Sequence, residues 1–233
     1  IMEVGEKEGK TALLEEYGQG DTLGEILQGG LLTAAQAKQI TRQLCMALWV
    51  LHSLGVVHRD VKPDNVIIRG TEAVLIDFDA SRIYKNENRE DTQILGTTGF
   101  AAPEQYGLSQ SDGRADIYAL GATMYQCLTG RKPDDATKRS LEDTLVSPSM
   151  LGVRIAPPVE YAIMRALQIR PADRYRNLGE FCEDLYSVVS DNTVSVNMNT
   201  FIQPAGSYDW GSPSGTSSQS RQQGYPDVPP YIP

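Results

Sequence analysis

The chain has 233 residues and a formal net charge of −9, and it is 40% hydrophobic and 22% charged. This composition is typical of a globular protein with enough apolar residues for a core. The acidic balance lacks the basic surface that a nucleic-acid partner requires, so no nucleic acid is expected. No signal peptide and no membrane segment is visible in this chain.

The first segments of the chain predict two short strands and then a short helix. The segments IMEV and TALLEEY are typical of strands, and the turn GEKEGK joins them. Thr22 and Glu25 then have the spacing of a capping box, which marks the start of a helix.

A longer helix is predicted to follow Thr33, which forms a second capping box with Gln36. Apolar residues recur at helical spacing after it, and Gly55 suits the left-handed backbone position that ends a helix. The segments NVIIR and EAVLI, separated by two residues, then predict a β-hairpin.

The chain beyond the hairpin is predicted to be helical, with approximate spans 115–128, 159–168 and 177–189. The pattern is weak between residues 131 and 157, where one or two short helices are expected. Residues 191–233 are rich in Ser, Gly, Pro, Gln and Asn, and they are predicted to form a disordered tail.

The cysteines Cys45, Cys127 and Cys182 each lie among apolar residues in a helical pattern, and none belongs to a CxxC motif. We interpret them as buried thiols, which fits a reducing compartment and a cytoplasmic location. Because the chain has only two histidines, a zinc site of cysteine and histidine ligands is not expected.

Three polar motifs follow the long helix in order: HRDVKPDN at 58–65, DFD at 77–79 and GTTGFAAPE at 96–104. This order and spacing resemble the signature set of protein kinases, in which H-R-D-x-x-x-x-N precedes D-F-G and A-P-E. The resemblance covers about residues 1–190 and is closest to the bacterial, eukaryotic-like Ser/Thr kinases.

The resemblance implies an α+β fold of the protein-kinase type. Most of the chain, residues 18–190, corresponds to the α-helical large lobe. Residues 1–17 correspond to a small remnant of the N-lobe sheet and to the hinge. The polar segment 191–233 then lies outside the kinase domain.

Four residues receive catalytic roles from the resemblance, and ATP and Mg²⁺ are the implied cofactors. Asp60 is the expected catalytic base, and Lys62 places a cation beside the transferred phosphoryl group. Asn65 and Asp77 offer oxygen ligands of the kind that Mg²⁺ prefers. Taken singly, the two aspartates and the asparagine could be ordinary turn or strand-end residues, but that alternative does not explain the order and spacing of the set.

The ATP-binding residues are assigned by the same resemblance. Backbone groups of Glu16 and Gly18 are expected to hold the adenine, and Ile67 is expected to lie beneath the base. Glu15 falls at the gatekeeper position, where kinases usually carry an apolar residue.

The polar segment 81–96 matches an activation loop. Thr92 is the expected phosphorylation site in it, and Arg59 is the expected partner of the added phosphate. Thr97 matches the threonine that bonds the catalytic loop and helps to seat a Ser/Thr substrate. Simple solvent exposure is an alternative explanation for either threonine.

Five further residues match structural positions of the family. His58 is expected to pack and to form hydrogen bonds, and Phe78 is expected to lie in the core beside it. Asp116 is expected to brace the catalytic loop, while Glu104 and Arg174 are expected to form a buried ion pair.

The sequence departs from the family at two places. The glycine-rich loop, the strand lysine and the helix glutamate of the small lobe have no counterpart in this chain. We therefore expect a fragment that begins inside the small lobe. Asp79 stands where the family has the glycine of D-F-G. Because glycine permits backbone angles that other residues resist, we expect Asp79 to limit flipping of the loop rather than to abolish catalysis.

These features support three hypotheses. The leading one is a Ser/Thr protein kinase, with protein substrates that carry an acceptor hydroxyl. A pseudokinase that acts as a binding or scaffold module is the second, favoured by Asp79 and by the missing small-lobe motifs. A small-molecule phosphotransferase is the third, although the segment 96–104 and Arg174 match the architecture for peptide substrates.

Overall fold

The structure is a computed structural model, and it describes residues 3–7, 10–14, 19–83, 96–107 and 111–187. The predictions for Glu15, Glu16, Gly18 and Thr92, like that for the tail at 191–233, concern residues outside these ranges.

A β-hairpin lies near the start of the chain, as the sequence predicts. Strands β1 (Glu3–Lys7) and β2 (Lys10–Leu14) pair antiparallel, with Glu3 opposite Leu14.

A three-stranded antiparallel sheet follows, built from β3 (Asp21–Thr22), β5 (Val66–Arg69) and β6 (Glu72–Leu75) in the order β3-β5-β6. The predicted hairpin is therefore confirmed as β5 and β6, with Val66 opposite Leu75. Strands β4 (Val56–Val57) and β7 (Arg82–Ile83) form a separate antiparallel pair, and β5 and β6 lie between them in the sequence.

Six α-helices lie in the described part of the chain. They are α1 (Leu23–Gln28), α2 (Ala34–Ser53), α3 (Gly113–Thr129), α4 (Ala136–Leu141), α5 (Pro157–Ala166) and α6 (Leu178–Tyr186). Single 3₁₀ turns occur at Pro63–Asn65, Pro103–Tyr106, Ser149–Leu151 and Pro171–Asp173. The three predicted helices beyond the hairpin are confirmed, and α4 together with the turn at Ser149–Leu151 accounts for the region of weak pattern.

Both predicted capping boxes are present. The Thr22 hydroxyl accepts a hydrogen bond from the Glu25 N–H at 3.1 Å, and the Glu25 carboxylate accepts from the Thr22 N–H at 2.8 Å. Thr33 and Gln36 form the same reciprocal pair at the start of α2. Beyond its end, Gly55 has the predicted left-handed backbone, with φ of +77°.

The core is organised around α3, whose side chains are almost all buried. It packs against α2 on one side and α5 on another, and α6 packs against both α2 and α5. The hairpin strand β6 also packs against α2. This arrangement places the segment between β4 and β5 at the edge of the helical core, next to the start of α3.

The three cysteines are buried and free, as the sequence predicts. Within the described ranges, no helix is both long enough and apolar enough to cross a membrane.

Candidate active site

The segment that follows β4 has a strained backbone held by a buried carboxylate. Arg59 has a φ of +71°, which is uncommon for a residue other than glycine. Asp116, fully buried near the start of α3, accepts hydrogen bonds from the N–H of Arg59 at 2.7 Å and from the N–H of His58 at 2.9 Å. Asp116 therefore braces this loop at the position expected from the sequence.

The same carboxylate has a third partner that the sequence analysis missed. His52, near the end of α2, lies with its Nε2 at 2.7 Å from Asp116 Oδ2. The contact joins residues from two helices, so no local pattern in the sequence points to it. It ties the end of α2 to the start of α3 directly beneath the loop.

Asp60 lies at the centre of a polar cluster. Its Oδ2 accepts hydrogen bonds from Lys62 Nζ at 2.6 Å and from Asn65 Nδ2 at 3.0 Å, and its Oδ1 accepts from the Thr97 hydroxyl at 2.8 Å. Lys62 Nζ also donates to Thr97 Oγ1 at 2.8 Å. The structure thus brings together four of the predicted site residues, one of which comes from the distant segment 96–104.

The electrostatics of this cluster keep Asp60 ionised. Burial raises the pKa of the Asp60 carboxyl, but hydrogen bonds from Lys62 and Thr97, the charge of Lys62 and the Asn65 amide together outweigh burial and leave the pKa below its usual value. The side chains of Asp60 and Lys62 keep 14% and 18% of their surface exposed. A carboxylate that can accept a proton is therefore held at the protein surface beside a cation.

Asn65 and Asp77 become neighbours through the sheet. The N–H of Ile76 donates to the backbone oxygen of Asn65 at 3.0 Å, which extends the pairing of β5 with β6 by one step. Asp77, the next residue, is exposed and has a left-handed φ of +64°. The amide oxygen of one residue and the carboxylate of the other are hard ligands that suit Mg²⁺, which commonly uses one or two protein ligands besides water and phosphate oxygens.

The described ranges contain no group of three or more His, Cys, Asp and Glu side chains arranged to hold a metal ion. An all-carboxylate metal cage is therefore not present there, and the asparagine–aspartate pair is the set whose donor chemistry fits Mg²⁺.

One expectation about the motif at 77–79 is wrong. Phe78 is 47% exposed and is not a core residue. Its ring meets the ring of His58 at a steep angle, with 4.9 Å between the ring centroids. Asp79 does not have a positive φ, and its expected effect on flipping of the loop stays a prediction. The Asp79 N–H donates to Asp77 Oδ1 at 3.4 Å.

His58 has the contacts of a structural residue. Its ring is fully buried, and its Nε2 lies 3.2 Å from the backbone oxygen of Ile76. Burial lowers the pKa of His58, although the Asp116 carboxylate and the Ile76 carbonyl act in the opposite direction. The neutral ring therefore links the loop to the end of β6.

Ile67 is buried in β5, opposite Thr22 of β3. A Cβ placed on Gly20 would lie 3.0 Å from its Cγ2, so the chain entering β3 passes directly over this side chain. Ile67 thus lies next to the chain that follows the segment expected to hold adenine.

Glu104 and Arg174 form a two-point ion pair, with nitrogen–oxygen distances of 2.7 and 3.0 Å. The guanidinium is fully buried and also donates to three backbone oxygens, those of Arg114, Gln168 and Ile169. The next residue, Gln105, donates to the backbone oxygen of Arg59 at 2.7 Å, which the sequence analysis missed. The segment 96–104 is therefore fixed to the helical core and to the loop.

Comparisons with known proteins agree with this geometry. A family model described as a protein kinase domain matches residues 1–190. The chain is 32% identical over 198 residues to the probable serine/threonine-protein kinase PknB of Corynebacterium glutamicum, covering 78% of this chain and 30% of that protein.

A second relative is the serine/threonine-protein kinase PknD of Mycobacterium tuberculosis, 34% identical over 190 residues, covering 77% of this chain and 29% of that protein. The chain thus spans about 30% of the length of these relatives. A solved structure described as "PpkA-294 apo form" superposes with a TM-score of 0.67 at 29% identity, covering 79% of this chain and 66% of that one.

Proposed function

The chain belongs to the protein kinase family, and from this premise we propose that it transfers the γ-phosphoryl group of Mg²⁺–ATP to Ser or Thr hydroxyls of protein substrates. The relatives are named as serine/threonine-protein kinases, and the proposal extends that activity to this chain, which spans about 30% of their length.

The observation that carries the proposal is the cluster of Asp60, Lys62 and Thr97. Phosphoryl transfer needs an oriented acceptor hydroxyl and neutralisation of charge on the transferred group. The Asp60 carboxylate is partly exposed, ionised and held by three donors, so an incoming hydroxyl can donate its hydrogen to a fixed acceptor. Lys62 Nζ, 2.6 Å away, supplies the cation for the phosphoryl oxygens.

In this proposal Asn65 and Asp77 would hold Mg²⁺, whose positive charge would offset the charge of the ATP phosphates. Ile67 contacts the adenine from beneath, and backbone groups of Glu16 and Gly18 bond its edge. Thr97 helps to seat the acceptor residue, and Thr92 is the phosphorylation site of the activation segment. We also propose a cytoplasmic location, which fits the three free thiols.

The test uses the natural, full-length gene product that contains this chain, with Mg²⁺, γ-labelled ATP and a generic protein acceptor. We expect label on Ser and Thr, and a loss of about 10²–10⁴-fold in rate for Asp60→Asn, which cannot accept the proton. Asp64→Asn is the matched control, because this exposed aspartate lies in the same segment outside the cluster.

Equal rates for the wild type and Asp60→Asn would contradict the proposal. Nucleotide binding without transfer by the wild type would instead indicate a pseudokinase. Transfer to an aminoglycoside without transfer to protein would indicate a small-molecule phosphotransferase.

A further inference from the structure

The second half of α2 carries apolar residues on every side. Residues 44–51 read LCMALWVL, and one side of this segment, which includes Leu44 and Leu48, is buried in the core. A second side is open to solvent and forms what we call the α2 stripe. The exposed fractions are 49%, 47%, 51% and 68% for its members, Met46, Trp49, Val50 and Leu54. Because a helix that is apolar all round is normally buried all round, the stripe indicates a surface that a partner covers.

The stripe is continuous and lies on the solvent side of α2. Its members are spaced by three or four residues, so they share one face and extend over about 12 Å of the helix. On one border Gln43 bonds the turn between β5 and β6, where it donates to the backbone oxygen of Thr71 at 2.8 Å. On the other border the backbone oxygen of Lys38 accepts from the Tyr186 hydroxyl of α6 at 2.6 Å. The stripe therefore lies between these two contacts.

The area of the stripe is sufficient for an interface between two copies of the chain. The exposed half of Trp49 is about 100 Å², and the four side chains together expose about 400 Å², which is as large as the largest apolar patch of a typical monomer. Pairing the stripe with that of a second copy buries about 800 Å² in total. The exposed neighbours Arg42 and Ser53 bring this area to the roughly 1,000 Å² that a specific interface needs.

Charge also favours a second copy at this position. The chain has a net charge of −9, so two copies repel each other over most of their surfaces. The helix α2 contains no Asp or Glu, and its charged residues are Lys38 and Arg42 together with His52 near its end. Two copies can therefore meet at this helix without burying a carboxylate, which would be costly.

Symmetry then determines how the two helices pair. A two-fold axis maps the stripe onto itself when it passes through the middle of the stripe, which lies at Val50. Antiparallel helices place Met46 against Leu54 of the other copy. They also separate the two Arg42 side chains by about 24 Å along the helix, well beyond the screening length of about 8 Å. Parallel helices would place the two arginines side by side, with about 8–10 Å between the helix axes.

We propose that this chain forms a symmetric dimer through the α2 stripe, with the two helices antiparallel and Val50 at the two-fold axis. The dimer goes beyond phosphoryl transfer and does not depend on it, because no residue of the stripe belongs to the candidate active site. Its interface is at the small end of the range for specific complexes. The dimer is therefore reversible, with a Kd in the micromolar range.

The first test is disulfide cross-linking of the natural, full-length gene product that contains this chain. A residue at the two-fold axis meets its own copy, so Val50→Cys should give a covalent dimer after mild oxidation, with position 50 linked to position 50 in peptide mapping. Ala35→Cys is the control, since it is exposed on the same helix about 22 Å from Val50. It should not cross-link, because a disulfide cannot join residues whose Cα atoms are more than about 7 Å apart.

The second test measures the Kd of the same protein by sedimentation. Val50→Asp brings two carboxylates together at the axis and should raise the Kd by at least about 10-fold. Leu141→Asp places the same charge on a residue that is 91% exposed and lies outside the stripe, so it should leave the Kd unchanged. Both substitutions are at exposed positions, and circular dichroism checks that both variants are folded.

Three results would overturn the proposal. Equal cross-linking of Val50→Cys and Ala35→Cys would show that Val50 does not meet its own copy. An unchanged Kd in Val50→Asp, or a wild type that stays monomeric at high concentration, would show that the stripe is not a dimer interface. A Val50→Cys thiol that resists maleimide in the monomer would show that a segment of the same polypeptide covers the stripe.

Discussion

At the scale of single residues, backbone strain lies at two positions next to the proposed chemistry. Arg59 and Asp77 have φ values of +71° and +64°, and they are the residues other than glycine with positive φ in the described ranges. Such a conformation costs about 1–2 kcal/mol and persists where surrounding contacts determine it. For Arg59 those contacts come from Asp116, whose two oxygens accept its N–H and that of His58.

We expect Asp116→Asn to destabilise the protein by roughly 1–3 kcal/mol. The carboxylate accepts three hydrogen bonds, whereas an amide presents one oxygen and one donating group, so at least one buried donor loses its acceptor. The loop should then relax, and the rate of phosphoryl transfer should fall along with stability. Urea denaturation and the kinase assay together measure both effects.

Asp173→Asn is the matched control for this prediction. The Asp173 side chain is 51% exposed and pairs with Arg170 at 3.8 Å, so the same substitution should change stability by less than about 0.5 kcal/mol. Equal losses for the two variants would show that the Asp116 contacts do not hold the loop.

At the scale of elements, the sequence predicts best where the signal is local. The capping boxes at Thr22 and Thr33, the left-handed Gly55 and the hairpin were all predicted, because each depends on residues that lie close together in the sequence. The sequence predicted the ends of the last two helices less accurately. α5 begins earlier than predicted, at Pro157, since proline suits the first turn of a helix. α6 ends at Tyr186, three residues before the predicted end.

The crossing of α3 and α5 gives a prediction at this scale. A Cβ placed on Gly121 would lie 2.8 Å from the Cβ of Ala166, closer than carbon atoms pack. Gly121→Ala gains about 1 kcal/mol of helix propensity, but overpacking of a fixed crossing costs about 1–3 kcal/mol. We therefore expect a net destabilisation of about 1 kcal/mol by urea denaturation.

The double variant Gly121→Ala with Ala166→Gly tests the cause. It moves the methyl group from one helix to the other, so the clash disappears and the propensity terms cancel. Stability should return to within about 0.5 kcal/mol of the wild type. A double variant less stable than Gly121→Ala alone would contradict the close crossing.

At the scale of the whole molecule, the sequence could not show the contacts that close over long separations. His52 on Asp116 and Gln105 on Arg59 each join parts of the chain that lie far apart in the sequence. The histidine contact depends on how α2 and α3 pack, which no local pattern encodes. The resemblance to kinases supplied the order of the motifs, whereas it supplied neither of these two contacts. The resemblance also predicted Phe78 in the core, whereas the side chain is exposed in the structure.

The whole protein should lose stability on acidification in two separate pH ranges. Burial lowers the pKa of His58 below its usual value of 6.5, so the unfolded chain binds this proton first as the pH falls. The pKa values of Asp60 and Asp112 also lie below their usual value of 3.8. Burial raises both pKa values, but hydrogen bonds outweigh burial. Lys62 and further donors bond Asp60, and Arg114 bonds Asp112. For the histidine and for the two aspartates, the stabilising contribution is present above the pKa that the group has in the unfolded chain. It is lost as the pH falls through the lower pKa that the group has in the folded protein.

We therefore expect the free energy of unfolding to be level from about pH 8 to pH 7, to decrease below about pH 6.5 and to decrease again below about pH 4. Urea denaturation at each pH measures the curve. His58→Gln should show a smaller decrease between pH 7 and pH 5 than the wild type, because glutamine has no proton to gain in that range. Its decrease below pH 4 should match the wild type, since Asp60 and Asp112 are unchanged. Identical curves for the two proteins between pH 7 and pH 5 would mean that the buried ring of His58 does not resist protonation.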